Sequence, residues 1–135
     1  MKSLSIGEVA ELLGVATSTL RWWEKQGLLA PAERKGGRRH YRPAEVRRAA
    51  MIRFWQETGM MSLDDIGAVL AGRDDAHDWH DVVQNRIDAF DAQIERLTAA
   101  KAYLRHSLKC PRSNPATDCP SLKKDIDTWL KARRT

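Results

Sequence analysis

Positive charge is concentrated in one stretch near the start of the chain. Between Arg21 and Arg53 the sequence holds ten basic side chains and three acidic ones. The basic side chains are Arg21, Lys25, Arg34, Lys35, Arg38, Arg39, Arg42, Arg47, Arg48 and Arg53. A cluster of one sign and this density is typical of a surface that displaces counterions from phosphate groups. The sequence therefore predicts binding to double-stranded DNA, and the alternative is a solvated charged face with no partner.

A second set of reactive side chains lies near the other end. Cys110 and Cys119 are separated by eight residues, and two thiolates brought together by such a loop suit a soft monovalent ion such as Cu(I). His77 or His80, supplied by a second copy of the chain, would add a nitrogen ligand and favour Zn(II). A thiol-oxidation switch and cysteines without a function stay open as alternatives. For each histidine, the alternative to a metal ligand is a solvated side chain at the start of a helix.

Helical patterns surround the basic cluster and must position it. Apolar residues at three- and four-residue intervals predict a helix over residues 6–13, with Ser5 as its N-cap and Glu8 as the capping-box partner. Gly14 then ends this helix. Two short helices joined by a glycine-containing turn place the second helix where it can enter a DNA groove, although such a pair is also found as an ordinary helical corner.

The second helix is predicted to begin at Thr17, with the threonine as its cap, and to run to about Lys25. Its inward face would hold Leu20 and one of the two adjacent tryptophans, and its outward face is hydrogen-bonding and basic. The outward side chains predicted to face DNA are Ser18, Thr19, Arg21 and Trp22. This face is predicted to read the DNA groove.

A basic hairpin is predicted after the second helix. The segment Lys35-Gly36-Gly37-Arg38 can turn tightly because glycine accepts positive φ, and His40-Tyr41 has the pattern of a short strand. The result is a small "wing" with basic side chains at its tip, on which the Tyr41 hydroxyl could donate to phosphate. The predicted wing contacts are Arg34, Lys35, Arg38, Arg39 and Tyr41.

Two further helices are predicted before the spacing of the apolar residues changes. The third follows Pro43 over about residues 44–57, and the fourth is opened by Ser62 and ends near Gly72. Met60 and Met61, between these helices, are predicted to fill gaps in the core.

A long helix is predicted over residues 79–108, about 45 Å at 1.5 Å per residue. Its apolar residues alternate at spacings of four and three, which is the seam of a coiled coil interrupted once by Lys101. The seam positions are Val83, Ile87, Phe90, Ile94, Leu97, Lys101, Leu104 and Leu108. Too little chain remains to cover this stripe, so an antiparallel second copy is the expected partner, and packing against the chain's own domain is the alternative. Lys101 is then a register device or the partner of an acidic residue.

Composition and charge limit the classes of protein to which the chain can belong. The chain of 135 residues carries a net charge of +5, but residues 64–91 hold eight aspartates against Arg73 and Arg86, so this acidic stretch is expected to face away from DNA. The sequence shows neither a signal peptide nor an apolar run long enough to cross a membrane, which predicts a cytoplasmic protein without a membrane partner. The expected organisation is a DNA-binding domain over 1–72, a dimerisation helix over 73–109 and an effector segment over 110–135.

The N-terminal residues, taken together, resemble a known family. Glu8-Val9-Ala10, Thr19-Leu20-Arg21-Trp22-Trp23-Glu24, Gly27-Leu28 and Arg38-Arg39-His40-Tyr41 are similar to the winged-helix signature of the MerR family of bacterial transcription regulators. The match covers residues 4–71. At the matching positions it implies that DNA is contacted from the second helix by Thr17, Ser18 and Arg21 and from the wing by Arg34, Arg38, Arg39 and Tyr41. The double tryptophan departs from the tyrosine or phenylalanine pair that is more usual there, and it replaces a phenolic hydroxyl with an indole N–H.

The resemblance implies both a fold and a function. The implied fold is mainly α: a winged helix-turn-helix domain with a small β wing, a long antiparallel coiled-coil dimerisation helix, and a C-terminal cysteine loop with a short helix over 121–131. The implied function is a homodimeric regulator that binds a palindromic promoter, responds to an effector and assists RNA polymerase. The segment Cys110-Pro111 to Cys119-Pro120 also resembles the ligand loop of copper-responsive members, although it is one residue longer than expected.

Other classes of protein remain as alternatives. We find no catalytic constellation, and a redox enzyme is disfavoured because eight residues separate the two cysteines. An architectural or excisionase-like DNA-binding protein, acting without an effector, is the stronger alternative. The promoter, the inducer and the sign of regulation do not follow from the sequence.

Overall fold

The computed structural model describes residues 2–134, so the terminal residues of the predicted first and last segments, 1 and 135, lie outside it. The elements in chain order are β1 (Leu4–Ser5), α1 (Ile6–Leu13), α2 (Thr17–Lys25), β2 (Glu33–Lys35), β3 (Arg38–Tyr41), α3 (Pro43–Thr58), α4 (Leu63–Leu70), α5 (Trp79–Ser107), α6 (Pro115–Asp118) and α7 (Pro120–Arg133). The predicted mainly helical class with a small β wing is confirmed. No helix in the described range combines the length and apolar character that crossing a bilayer requires.

The ends of α1 follow the predicted local chemistry. The Glu8 backbone N–H donates to the Ser5 hydroxyl over 3.1 Å, and the Ser5 N–H donates to the Glu8 carboxylate over 3.0 Å. Gly14 closes the helix with a left-handed φ of 67°, which glycine adopts without the steric cost of a Cβ. These contacts fix the turn that leads into α2.

The start of α2 corrects one prediction. Ala16 is the N-cap and Thr17 is the first helical residue, so Thr17 does not cap the helix through its side chain. The Ala16 carbonyl instead accepts the N–H of Thr19 over 3.0 Å. The cap is therefore a backbone contact.

The strands form one sheet in the order β1-β3-β2, with both neighbouring pairs antiparallel. The predicted hairpin is β2 and β3, joined by Gly36 and Gly37, whose φ values of 56° and 79° suit a two-residue turn that requires positive φ. β1 was not predicted, because two residues give no periodicity. It pairs Leu4 with Tyr41 and so joins the wing to the start of the chain.

The core lies between the helices of the N-terminal part and the sheet. Its fully buried large side chains are Val9, Leu20, Trp23, Tyr41, Ile52 and Ile66. Met61 packs against this core as predicted. The same prediction is wrong for Met60, which is 70% exposed and has a φ of 50°, because its backbone conformation turns the chain between α3 and α4.

The chain divides into two compact units, the first ending at Asp88 and the second beginning at Ala89, so the boundary lies within α5. In the first unit, the Arg86 guanidinium donates from Nε and Nη2 to one Asp65 carboxylate oxygen, at 3.0 and 2.8 Å. Burial alone would raise the pKa of Asp65, but the hydrogen bonds from Arg86 and Ser62 outweigh it and lower that pKa. The start of α5 is therefore tied to α4.

Candidate nucleic-acid interface and C-terminal cleft

The exposed face of α2 is polar and cationic apart from one aromatic ring. Ser18, Arg21, Trp22 and Lys25 are exposed on it, while Leu20 and Trp23 are buried on the opposite face. The outward tryptophan of the predicted pair is therefore Trp22. Thr17 is half-buried at the start of the helix.

The wing places like charges directly opposite one another. Arg34 pairs with Arg39, and Lys35 with Arg38, across β2 and β3. Like charges at facing positions destabilise an antiparallel pair. Arg34, Lys35 and Arg38 are exposed, and no ion pair is found for them within the described part of the chain. The wing thus holds cations whose repulsion phosphate groups would relieve.

Glu24 links α2 to the wing. Its carboxylate accepts the Tyr41 hydroxyl over 2.8 Å and the Ala32 backbone N–H over 2.9 Å. Its second oxygen lies 3.5 Å from Nη2 of Arg39, and only 9% of its side chain is exposed. The sequence analysis did not predict this role. The signal was that Glu24 is the one acidic residue of α2 and lies between Arg21 and Lys25. Glu24 sets the position of the wing relative to α2.

Tyr41 differs from its predicted role. Its side chain is 1% exposed, and its hydroxyl donates to Glu24 and not to the surface. Burial and the hydrogen bond to the Glu24 carboxylate raise the pKa of Tyr41 far above its ordinary value, so the hydroxyl keeps its proton. We therefore correct the prediction that it is a phosphate contact: Tyr41 is a structural link between the sheet and α2.

Several of the ten clustered cations also serve the fold. Arg48 donates from Nε to the Leu28 carbonyl over 2.6 Å, and Arg53 donates from Nε to the Leu13 carbonyl over 3.2 Å. Arg42 forms an ion pair with Glu33. Arg53 therefore satisfies a carbonyl at the end of α1, Arg48 satisfies one in the loop after α2, and Arg42 binds a side chain of β2. Charge density alone could not separate them from Arg21, which is exposed.

The two cysteines line one cleft in the second unit. This cleft has a volume of about 410 Å³, and its walls include Tyr103, His106, Lys109, Cys110 and Cys119. Both thiols are free and half-buried. The Cys119 sulfur accepts the Leu122 N–H over 3.4 Å at the start of α7, which begins one residue earlier and ends two residues later than predicted.

The metal predictions can be tested against the donors present. A two-coordinate Cu(I) ion needs only two sulfurs, which Cys110 and Cys119 supply to the same cleft. Zn(II) is usually held by four ligands, and within residues 2–134 no group of three or more histidine, cysteine or acidic side chains is suitably placed for a metal ion.

The two histidines considered as additional ligands have partners in the first unit. The Nε2–H of His77 donates to the Ala68 carbonyl over 2.8 Å, which leaves Nδ1 as the nitrogen with a free lone pair. His80 donates from Nδ1 to Asp78 over 2.7 Å. His77 could therefore serve as a ligand only through Nδ1.

Two known protein families match this chain. The family described as "MerR HTH family regulatory protein" matches residues 4–73, and "MerR, DNA binding" matches residues 46–107. The mercuric resistance operon regulatory protein of Bacillus cereus is 32% identical over 132 residues, which cover 93% of this chain and 96% of that protein.

Two other similar proteins extend the comparison. A SoxR-homologue transcriptional activator of Chromobacterium violaceum is 39% identical over 99 residues, which cover 64% of this chain and 66% of that protein. The crystal structure of the transcription regulator PbrR691 of Ralstonia metallidurans CH34, in complex with lead(II), has a TM-score of 0.57 at 27% identity and covers 90% of this chain and 98% of that one. This chain, with its wing between β2 and β3 and its long α5, belongs to the MerR family of DNA-binding transcriptional regulators.

Proposed function

We propose that the chain acts as a homodimer on a palindromic promoter and that its C-terminal segment responds to an effector. Residues 1–72 bind DNA, residues 73–109 form the dimerisation helix, and residues 110–135 receive the effector. The effector-bound dimer distorts an over-long promoter spacer and so assists RNA polymerase. The spacer between the half-sites can influence binding without being contacted, because the free-energy cost of deforming DNA, about 1–6 kcal/mol, varies with sequence.

The uncovered seam of α5 carries this proposal. Ile94, Leu97 and Leu104 are 60%, 69% and 63% exposed, at spacings of three and seven residues along one face. A single apolar stripe of this kind is stable when a second helix covers it. An antiparallel copy of α5 does so and gives two DNA-binding units, whose α2 helices would enter successive major grooves about 34 Å apart.

DNA contacts give the first test. The variant Arg21→Ala is expected to weaken binding to the specific site more than binding to random DNA, because Arg21 faces the groove. Arg38→Ala is expected to weaken both and to lower the salt slope by about one unit, because its wing position contacts phosphate. Titrations of labelled duplexes at several salt concentrations measure both effects.

The control for these variants is Arg96→Ala, which removes an exposed arginine from α5. It should leave both affinities unchanged. Normal binding of the specific site by Arg21→Ala would move recognition from α2 to the wing.

The effector proposal concerns the two thiols. We propose that Cys110 and Cys119 hold one soft metal ion per protomer, with Cu(I) preferred over Zn(II) because two sulfurs complete its coordination. When bound, the ion would link the two ends of the loop between the thiols. Binding should release protons, since both sulfurs must deprotonate.

Anaerobic titration with Cu(I) and with Zn(II) tests this site. Cys119→Ser and Cys110→Ser should each abolish binding and leave DNA affinity unchanged, and transcription with Cys119→Ser should no longer respond to the metal. Ser121→Ala, on the same cleft, is the matched control and should still bind. Failure of the wild type to bind either ion, with a normal response from Cys119→Ser in cells, would exclude metal sensing by these thiols.

An organic effector is the outcome that such a failure would favour. Tyr103 lines the cleft and would form one wall of a pocket for an organic molecule. Two other aromatic side chains have partners outside the cleft: Trp79 stacks on His80 with ring centroids 3.8 Å apart, and the Arg133 guanidinium lies 3.9 Å from the Trp129 ring centroid. Tyr103 is then the first side chain to replace.

A further inference from the structure

Trp22 is the one large apolar side chain on the outward face of α2. It is 50% exposed, whereas the adjacent Trp23 is 1% exposed in the core. At 100° per residue, Ser18, Arg21, Trp22 and Lys25 fall within an arc of about 100°. The indole therefore shares its face with the hydrogen-bonding and cationic groups of the proposed DNA contact, away from the core.

The major groove offers few apolar partners to such a ring. Base edges there present hydrogen-bond donors and acceptors, and the exception is the C5-methyl group of thymine. Covering donors and acceptors with an indole ring would desolvate them without giving them a partner, which is unfavourable. The thymine methyl loses no hydrogen bond when it is covered and gains from leaving water.

We propose that Trp22 reads a thymine methyl group in each half-site and so sets sequence preference at that base pair. This inference rests on the proposed function, in which α2 lies in the major groove. Arg21, on the same face, supplies a hydrogen-bonding contact, and Trp22 supplies an apolar one. The indole N–H is not required in this arrangement.

The test replaces thymine by uracil, which removes the methyl group and keeps every hydrogen-bonding atom of the base. A binding site is first selected from random-sequence duplexes with the full-length protein. Each thymine of a half-site is then replaced in turn by uracil, and the affinities are measured. At about 0.8 kcal/mol per buried carbon group, the wild type should lose about fourfold at one position of each half-site.

Three variants complete the test. Trp22→Ala should bind the thymine and uracil duplexes equally, and Trp22→Phe should keep the preference because it keeps an apolar ring without an N–H. Trp129→Ala removes an aromatic side chain of similar exposure, 53%, from α7 and should keep the full preference.

Several results would overturn the proposal. A wild type that is indifferent to uracil at every position, or a Trp22→Ala variant that keeps the preference, rules out methyl reading by this residue. Loss of the preference in Trp22→Phe would contradict the claim that an apolar ring at this position is sufficient to read the methyl group. If selection yields no specific site, the proposed function fails together with this inference, whereas specific binding without thymine discrimination contradicts this inference alone.

Discussion

The double variant Ile94→Asp, Leu97→Asp is expected to be monomeric at concentrations where the wild type is a dimer. Both side chains lie in the middle of the exposed seam of α5. In the proposed coiled coil the two aspartates would be buried without partners, at a cost of several kcal/mol. Multi-angle light scattering measures the change in mass directly. Binding to a two-half-site duplex should fall in parallel, because the monomer contacts only one half-site.

A matched control uses the opposite face of the same helix. Ala92 and Ala99 are exposed, and at 100° per residue they project about 140–160° around the helix axis from Ile94. Ala92→Asp, Ala99→Asp adds the same charge without touching the seam, and it should remain dimeric. A seam variant with an unchanged mass would place the interface on another surface.

Removal of the Glu24 carboxylate is expected to weaken both folding and DNA binding. In Glu24→Ala the Tyr41 hydroxyl and the Ala32 N–H lose their acceptor, and a hydrogen bond to a charged group is worth about 1.5–3 kcal/mol. Glu24→Gln should cost less, because both bonds go to one carboxylate oxygen and an uncharged amide oxygen can still accept them. The midpoint of urea unfolding reports the loss of stability, and duplex affinity reports the position of the wing.

Two comparisons isolate this effect. Glu11→Ala removes an exposed glutamate from α1 and should leave the urea midpoint unchanged. A double-mutant cycle with Tyr41→Phe should show coupling, because Glu24 and Tyr41 share a hydrogen bond. Equal midpoints for Glu24→Ala and Glu11→Ala would show that the Glu24 contacts add nothing to stability.

Local chemistry was sufficient to predict every helix except α6, the short helix between the two cysteines. The capping box of Ser5 and Glu8, the stop at Gly14 and the Ser62 cap of α4 each involve atoms within four residues, so their spacing in the sequence is also their geometry. The seam of α5 was predicted for the same reason, since a helix places residues three and four apart on one face.

Only the tertiary structure decided how the wing is held and which side chains remain available for DNA. Glu24 meets Tyr41 across 17 residues of sequence, and Arg48 meets the Leu28 carbonyl across 20. No local pattern encodes such pairs, because they depend on how separate elements pack. Packing therefore turned the predicted Tyr41 contact into a buried link, and left Trp22, not Trp23, on the face that points outward.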